Sequence, residues 1–156
     1  MTTNLTIVDA DAMEAFGARL AELLDAGDLV VLDGPLGAGK TTLTRGLGAA
    51  LGARGAVTSP TFVLAREHPT ASGVPLVHVD AYRLPTAREL DDLDLDYAGS
   101  IVVVEWGAGK LDGVADSWID IAISRDRADD AREVTVTGHG PRWAQLDNFL
   151  AAPRVE

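Results

Sequence analysis

The sequence contains no cysteine, and only two of its thirteen basic residues are lysine. The lack of cysteine excludes a disulfide framework, thiolate metal ligands and a cysteine nucleophile. The apolar runs are only as long as strands, well short of the ~20 residues that a membrane-spanning helix needs, so we expect no membrane insertion. Residues 1–4 carry no basic side chain and precede an acidic segment. We therefore expect no secretory signal and a cytoplasmic location.

Positive charge is scarce relative to negative charge. The formal net charge is −11 at pH 7, whereas a protein that binds nucleic acid by itself needs a basic face to neutralise phosphates. We therefore do not expect the chain to bind nucleic acid by itself. With 156 residues, of which 47% are hydrophobic, the chain is long enough to bury a single core, and we predict one domain over residues 1–156.

The most informative segment is residues 34–41, Gly-Pro-Leu-Gly-Ala-Gly-Lys-Thr, which has the spacing of a phosphate-binding loop and follows the apolar run 29–32. The glycines let successive backbone N–H groups turn toward phosphates, and the following helix directs its positive N-terminal end at them. Lys40 supplies a charge for the β- and γ-phosphates, and Thr41 supplies a hydroxyl for Mg²⁺. The sequence therefore predicts a nucleoside-triphosphate site.

Helices are predicted on both sides of this loop. Apolar residues recur at helical spacing over 11–26, with Asp11 and Glu14 as a capping box and Gly27 as the stop. A second helix is predicted over 40–51, directly after the loop. The loop therefore lies between a strand and a helix, as phosphate binding requires.

Short apolar runs predict a sheet. Continuous runs such as 101–104 indicate strands buried on both faces, whereas alternation after residue 118 indicates half-exposed, antiparallel strands. A last helix over 142–150 would close the fold. We predict an α/β fold of the P-loop NTPase type, with three layers and a central, mixed but mostly parallel sheet flanked by helices. The predicted strands are 29–32, 61–65, 76–79, 101–104, 118–123 and 133–137.

Two acidic residues follow predicted strands. Asp80 comes after 76–79 and Glu105 after 101–104. Ligands collect at the carboxyl ends of strands in open α/β sheets, and a P-loop enzyme needs an acid there to hold Mg²⁺ or its waters. Both residues are therefore candidate ligands of the metal or its water, and a solvated strand-end acid is the alternative for each.

Other polar and aromatic residues allow two interpretations each. A hydroxyl in 58–62 could sense the γ-phosphate as part of a switch segment, or the Ser-Pro pair could simply form a turn. Trp106 could line the mouth of the site or pack at its border. The three histidines have no metal-binding spacing and are assigned no chemistry: His68, His78 and His139.

Four segments in this order resemble the small bacterial TsaE (YjeE) ATPases, which take part in threonylcarbamoyladenosine modification of tRNA. The similarity covers nearly the full length of the chain. Only the first segment is specific for the family by itself, but the four segments in this order are specific together. The four segments are 34–46, 59–62, 78–84 and 105–106.

The resemblance implies a magnesium-dependent site for ATP. Thr41 and Glu105 would bind Mg²⁺, and Asp80 would contact the nucleotide and take part in hydrolysis. Thr61 would act in the switch, with Trp106 beside the nucleotide. The phosphates would be held by six consecutive residues: Gly37, Ala38, Gly39, Lys40, Thr41 and Thr42.

The resemblance also implies partners. Arg132, in the segment 129–132, would approach the nucleotide, and the ATPase would support the cycle of a complex with the proteins TsaB and TsaD. TsaD would carry out threonylcarbamoyl transfer, and tRNA would be contacted only through the complex. We expect slow hydrolysis without partners, because no segment clearly supplies an arginine for the transition state; Arg83 is the internal candidate.

Two other functions fit the loop. A small-molecule or nucleoside kinase would use an arginine-rich lid, which Arg125, Arg127 and Arg132 could imitate. An ATP-gated regulatory binding module would use nucleotide only to set the conformation of a docking surface. A GTPase is disfavoured because the sequence has no Asn-Lys-x-Asp motif for guanine.

Overall fold

A single sheet with two α-helices on one face organises the described part of the chain. The structure is a computed structural model that describes residues 2–35, 37–54, 65–80, 96–105, 116–125, 131–144 and 146. Its helices are α1 (Ala10–Ala21), α2 (Lys40–Ala50) and a 3₁₀ helix (Pro141–Trp143). Its strands are β1 (Thr2–Ile7), β2 (Leu29–Asp33), β3 (Ala65–His68), β4 (Leu76–Asp80), β5 (Ile101–Glu105), β6 (Trp118–Ser124) and β7 (Arg132–His139).

The sheet has the order β1-β7-β6-β2-β5-β4-β3. Its four central strands, β6, β2, β5 and β4, are parallel, and its outer pairs are antiparallel. All five residues of β5 are buried, as its continuous apolar run predicts. The predicted α/β class and mixed sheet are confirmed. Because β2, β4 and β5 run in the same direction, their carboxyl ends meet at one edge.

The core lies on both faces of the sheet. Helix residues Met13, Phe16 and Leu43 are buried with Val30 and Val103 on one face. The opposite face buries the alternate residues of the same central strands: Leu29, Val31, Val77, Val79, Val102 and Val104. None of the helices in the described ranges is long and apolar enough to cross a membrane.

Helix α1 differs from its predicted bounds. Asp9 is its N-cap and accepts a hydrogen bond from the backbone N–H of Ala12 at 2.8 Å. The predicted capping box of Asp11 and Glu14 is therefore wrong, because the helix begins two residues earlier than the box requires. The helix ends at Ala21, rather than continuing toward Gly27.

Two other predicted elements have partial outcomes, and a third matches its prediction. The strand predicted over 61–65 overlaps β3 only at Ala65, since 61–64 lie outside the described residues. In the range 142–150 the structure has the end of the 3₁₀ helix and a helical residue at Leu146, and 145 and 147–150 are outside the description. Helix α2 matches its prediction and ends before Gly52, whose φ of 70° is the left-handed conformation typical of a helix stop.

An ion pair ties the 3₁₀ helix to the start of β2. The Asp28 carboxylate is buried and accepts hydrogen bonds from Arg142 Nε at 3.0 Å and Arg142 Nη2 at 2.9 Å. The hydrogen bond with Asp28 raises the pKa of the Arg142 guanidinium, which stays charged. Arg142 Nη2 also donates to the carbonyl oxygen of Leu23. The pair therefore joins segments that are distant in sequence.

Replacing Arg142 by alanine is expected to lower the free energy of unfolding by about 1–2 kcal/mol, because it leaves the buried Asp28 carboxylate without its bidentate donor. The figure is below that of a fully buried pair, since 48% of the Arg142 side chain is exposed to screening solvent. Thermal unfolding measures the effect. Arg66→Ala, on the exposed side of β3, is the control; equal melting temperatures for the two variants would contradict a stabilising role of the pair.

Candidate functional site

The loop after β2 adopts backbone conformations that require glycine. Gly37 has a φ of 78° and Gly39, the N-cap of α2, has a φ of 119°. Side chains of L-residues are strained in this region. The glycine spacing of the motif is thus explained by the turn that connects β2 to α2.

Lys40 lies at the start of α2 and is buried, with 5% of its surface exposed. Its Nζ donates to the carbonyl oxygens of Gly34 at 2.6 Å and Pro35 at 3.1 Å. Burial lowers the pKa of the Lys40 ammonium, and the carboxylates of Glu105, Asp33 and Asp80 act in the opposite direction. The cation of the loop therefore lies within the electrostatic reach of three carboxylates.

The two acids predicted at strand ends are neighbours. Asp80 is the last residue of β4 and pairs in register with Glu105, the last residue of β5. Glu105 in turn pairs with Leu32 on β2, one residue before Asp33 and the loop. The sheet therefore brings Lys40, Asp80 and Glu105 to the same edge, as the sequence predicted.

His78, for which the sequence spacing predicts no chemistry, contacts one of these acids. His78 Nε2 lies 2.5 Å from Glu105 Oε2, and the two side chains are 0% and 5% exposed. The signal in the sequence is a polar residue inside the otherwise apolar run 76–79. Its partner could not be identified from that signal, because the contact depends on β4 lying beside β5.

A cleft of about 390 Å³ lies between the loop and the start of α1. Arg132 borders it, and Arg132 Nε donates to the carbonyl oxygen of Ala38 at 3.3 Å. The Arg125 guanidinium also lies against the loop, since a Cβ placed on Gly37 would be 3.0 Å from Arg125 Nη1. The residues that line the cleft are Asp9, Ala10, Asp11, Met13, Gly37, Ala38, Gly39, Thr42 and Arg132.

The predicted site residues thus fall into three groups. Thr41 follows Lys40 in the first turn of α2 and is half-buried. Asp80 and Glu105 lie side by side at the strand edge, and both act electrostatically on Lys40. The predicted residues that line the cleft are Gly37, Ala38, Gly39, Thr42 and Arg132. Four residues named from the sequence lie outside the described part of the chain: Thr61, Arg83, Trp106 and Arg127.

A family profile and individual relatives of this chain carry the same family name. Residues 7–134 match the family profile described as "Threonylcarbamoyl adenosine biosynthesis protein TsaE". A Streptomyces coelicolor protein named tRNA threonylcarbamoyladenosine biosynthesis protein TsaE is 59% identical over 147 residues, which cover 90% of this chain and 99% of the relative. A Bacillus subtilis protein of the same name is 35% identical, with 92% and 90% covered.

A solved structure has the same fold. The crystal structure of Bacillus subtilis YdiB superposes with a TM-score of 0.77 at 29% sequence identity. The superposition covers 97% of this chain and 95% of YdiB. The sheet and its loop edge thus have a counterpart determined by crystallography.

Proposed function

Because the chain belongs to the TsaE family of tRNA threonylcarbamoyladenosine biosynthesis proteins, we propose that it is a magnesium-dependent ATPase that serves this modification. One observation carries the proposal: Lys40, on the phosphate-loop turn, lies within electrostatic reach of Asp80 and Glu105, which are paired in register at the same sheet edge. That arrangement combines a cation for phosphates with carboxylates for a metal and a water.

The loop residues would bind the phosphates of ATP. Backbone N–H groups of 37–42 at the start of α2 suit an anion, and Lys40 Nζ would exchange the carbonyl oxygens of Gly34 and Pro35 for phosphate oxygens. The Thr41 hydroxyl and a Glu105 carboxylate oxygen are hard ligands that fit Mg²⁺. When bound, Mg²⁺ neutralises charge on the phosphates.

Asp80 would act on the attacking water. Its position beside Glu105 places a second carboxylate at the metal edge, where it could orient or deprotonate the water. Thr61 would contribute a switch hydroxyl, and Trp106 would lie beside the nucleotide. The cleft next to the loop would take the nucleoside, with Arg132 at its border, since its volume is in the range of small-ligand pockets.

The partners would be TsaB and TsaD, with tRNA contacted only through the complex. The net charge of −11 supports this division, because the chain lacks the positive charge that tRNA binding would need. Hydrolysis would be slow until a partner completes the site. We place this activity in the cytoplasm, where tRNA is modified.

Two alternatives remain distinguishable by experiment. The contacts of Arg125 and Arg132 with the loop favour a kinase lid, but membership in a tRNA-modification family favours the ATPase. An ATP-gated binding module would bind TsaB and TsaD differently with ATP and ADP, yet need no turnover. Phosphate transfer to an added acceptor, rather than to water, would identify the kinase.

Asp80→Asn tests the assignment of chemistry directly. We expect ATP binding to be retained and hydrolysis to fall by about 10²–10⁴-fold, the contribution typical of a general base. Bound nucleotide is measured by calorimetry, and phosphate release is measured under single-turnover conditions.

Asp120→Asn is the matched control, because Asp120 lies on the opposite face of the sheet, where it contacts Trp118 and His139. Its hydrolysis rate should equal that of the parent chain. Full hydrolysis by Asp80→Asn would remove Asp80 from the mechanism, and a parent chain that binds no ATP would refute the proposed function.

A further inference from the structure

The buried His78–Glu105 pair is not needed to explain the fold. His78 lies in the middle of β4 with 0% of its side chain exposed, so it cannot touch a nucleotide. Its side chain shares a face with Asp80, two residues further along the strand, and reaches diagonally to Glu105 on β5. Whatever His78 does at the site, it does through Glu105.

If His78 served only to stabilise the fold, its buried ring would lower that stability. His78 Nδ1 is buried and, within the described residues, has no hydrogen-bond partner. A buried polar atom without a partner costs free energy, so an apolar residue would serve a simple packing role at this position better. The polar ring therefore needs another explanation, and its contact with Glu105 offers one.

We propose that His78 is a positioning residue, which fixes the Glu105 carboxylate in the orientation that binds Mg²⁺. His78 Nε2 and Glu105 Oε2 are within hydrogen-bond distance. Because a carboxylate oxygen accepts, His78 Nε2 is the nitrogen that carries the proton and donates it. Oε2 is thereby held by the protein, which leaves Oε1 for the metal. The inference rests on the proposed role of Glu105.

Outer-shell partners of this kind typically change metal affinity by about 10–100-fold when they are removed. The affinity of the nucleotide itself, measured without metal, does not depend on them. The inference therefore predicts a separation between metal binding and nucleotide binding, which a general loss of structure would not produce.

The test uses the full chain with Mn²⁺ as a paramagnetic probe and a non-hydrolysable ATP analogue. In His78→Leu, we expect the dissociation constant of Mn²⁺ in the ternary complex to rise by about 10–100-fold. Binding of the analogue in EDTA should be unchanged. His78→Leu in a Glu105→Gln background should have no further effect on Mn²⁺, because the group that it positions is already altered.

Two polar variants keep the test decisive if His78→Leu does not fold. His78→Gln places an amide N–H near the position of Nε2 and should restore Mn²⁺ affinity. His78→Asn, whose amide is one carbon shorter, should not. Equal Mn²⁺ affinities in the Gln and Asn variants and the parent chain would overturn the positioning role.

The outcomes also separate the two proposals. If Glu105→Gln weakens Mn²⁺ binding while the His78 variants do not, the inference fails and the proposed function stands. If Glu105→Gln itself leaves Mn²⁺ binding unchanged, both the metal role of Glu105 and the inference fail.

Discussion

Replacing Lys40 by methionine is expected to weaken ATP binding at least about tenfold, and up to about 150-fold for each hydrogen bond lost. A hydrogen bond to a charged group contributes about 1.5–3 kcal/mol, and each 1.4 kcal/mol is a factor of ten in affinity. Methionine has a similar length but neither charge nor donor. The loss therefore reports the ammonium group rather than the packing around it.

The same substitution should leave the fold intact. Burial lowers the pKa of Lys40, so at neutral pH the protonated side chain is less favourable in the folded than in the unfolded chain. This cost is fully present below the folded-state pKa and is lost progressively as the pH rises from there to the ordinary lysine value of 10.5 in the unfolded chain. Methionine removes the cost, and the carbonyl oxygens of Gly34 and Pro35 belong to residues that solvent can reach. We expect an unchanged or higher melting temperature.

Calorimetric titration with ATP measures the loss. Arg45→Ala is the control, because it removes one positive charge from the same helix at an exposed position, where Arg45 pairs with Glu14 at 3.6 Å. Its ATP affinity should match that of the parent chain. A Lys40→Met variant that binds ATP as tightly as the parent chain would exclude this loop as the phosphate site.

Gly17→Ala and Gly46→Ala should each destabilise the chain by about 3 kcal/mol or more, the upper range for overpacking. A Cβ on Gly17 would overlap the carbonyl oxygen of Leu43, and a Cβ on Gly46 would overlap the carbonyl oxygen of Glu14. Both obstacles are backbone atoms, which cannot move aside as a side chain can. The helices would have to separate.

The sign of the change in stability distinguishes the close helix–helix contact from the effect of helix propensity. In a helix without such a neighbour, glycine to alanine is stabilising by about 1 kcal/mol. For a chain of this length, the expected loss lowers the melting temperature by about 6–12 °C. Ala49→Gly, at an exposed position of α2, is the control and should cost no more than about 1 kcal/mol. Higher melting temperatures for both alanine variants would contradict the close approach.

The close packing of α1 against α2 also affects the candidate site. The start of α1 lines the cleft, and α2 carries Lys40 and Thr41. A variant that separates the helices should therefore weaken ATP binding together with stability, whereas Lys40→Met should affect binding alone.

The strand, loop and second helix were predictable because local chemistry determines them. A phosphate loop needs glycine at the positive φ of Gly37 and Gly39, and the apolar run before it forms a buried strand. Asp80 and Glu105 were predictable as neighbours because the carboxyl ends of parallel strands share one edge.

Features that depend on distant partners were missed. Strand β1 has few apolar residues and is stabilised by pairing with β7, including a hydrogen bond of 3.0 Å between Thr135 and Asn4. The contact between His78 and Glu105 could not be predicted without knowing the strand order. The close approach of the backbone at Gly17 and Gly46 could not be predicted without knowing that α1 and α2 pack against each other. The N-cap at Asp9 was missed because the apolar pattern begins after the helix does.

The most direct test of the account is the rate of phosphate release from ATP by the full chain, alone and with TsaB and TsaD. We expect slow release by the chain alone, strongly reduced by Lys40→Met, and a marked increase when both partners are present. Release at ~1 s⁻¹ or faster without partners, within the usual range of complete enzymes, or a rate that the partners leave unchanged would contradict an ATPase site that its partners complete.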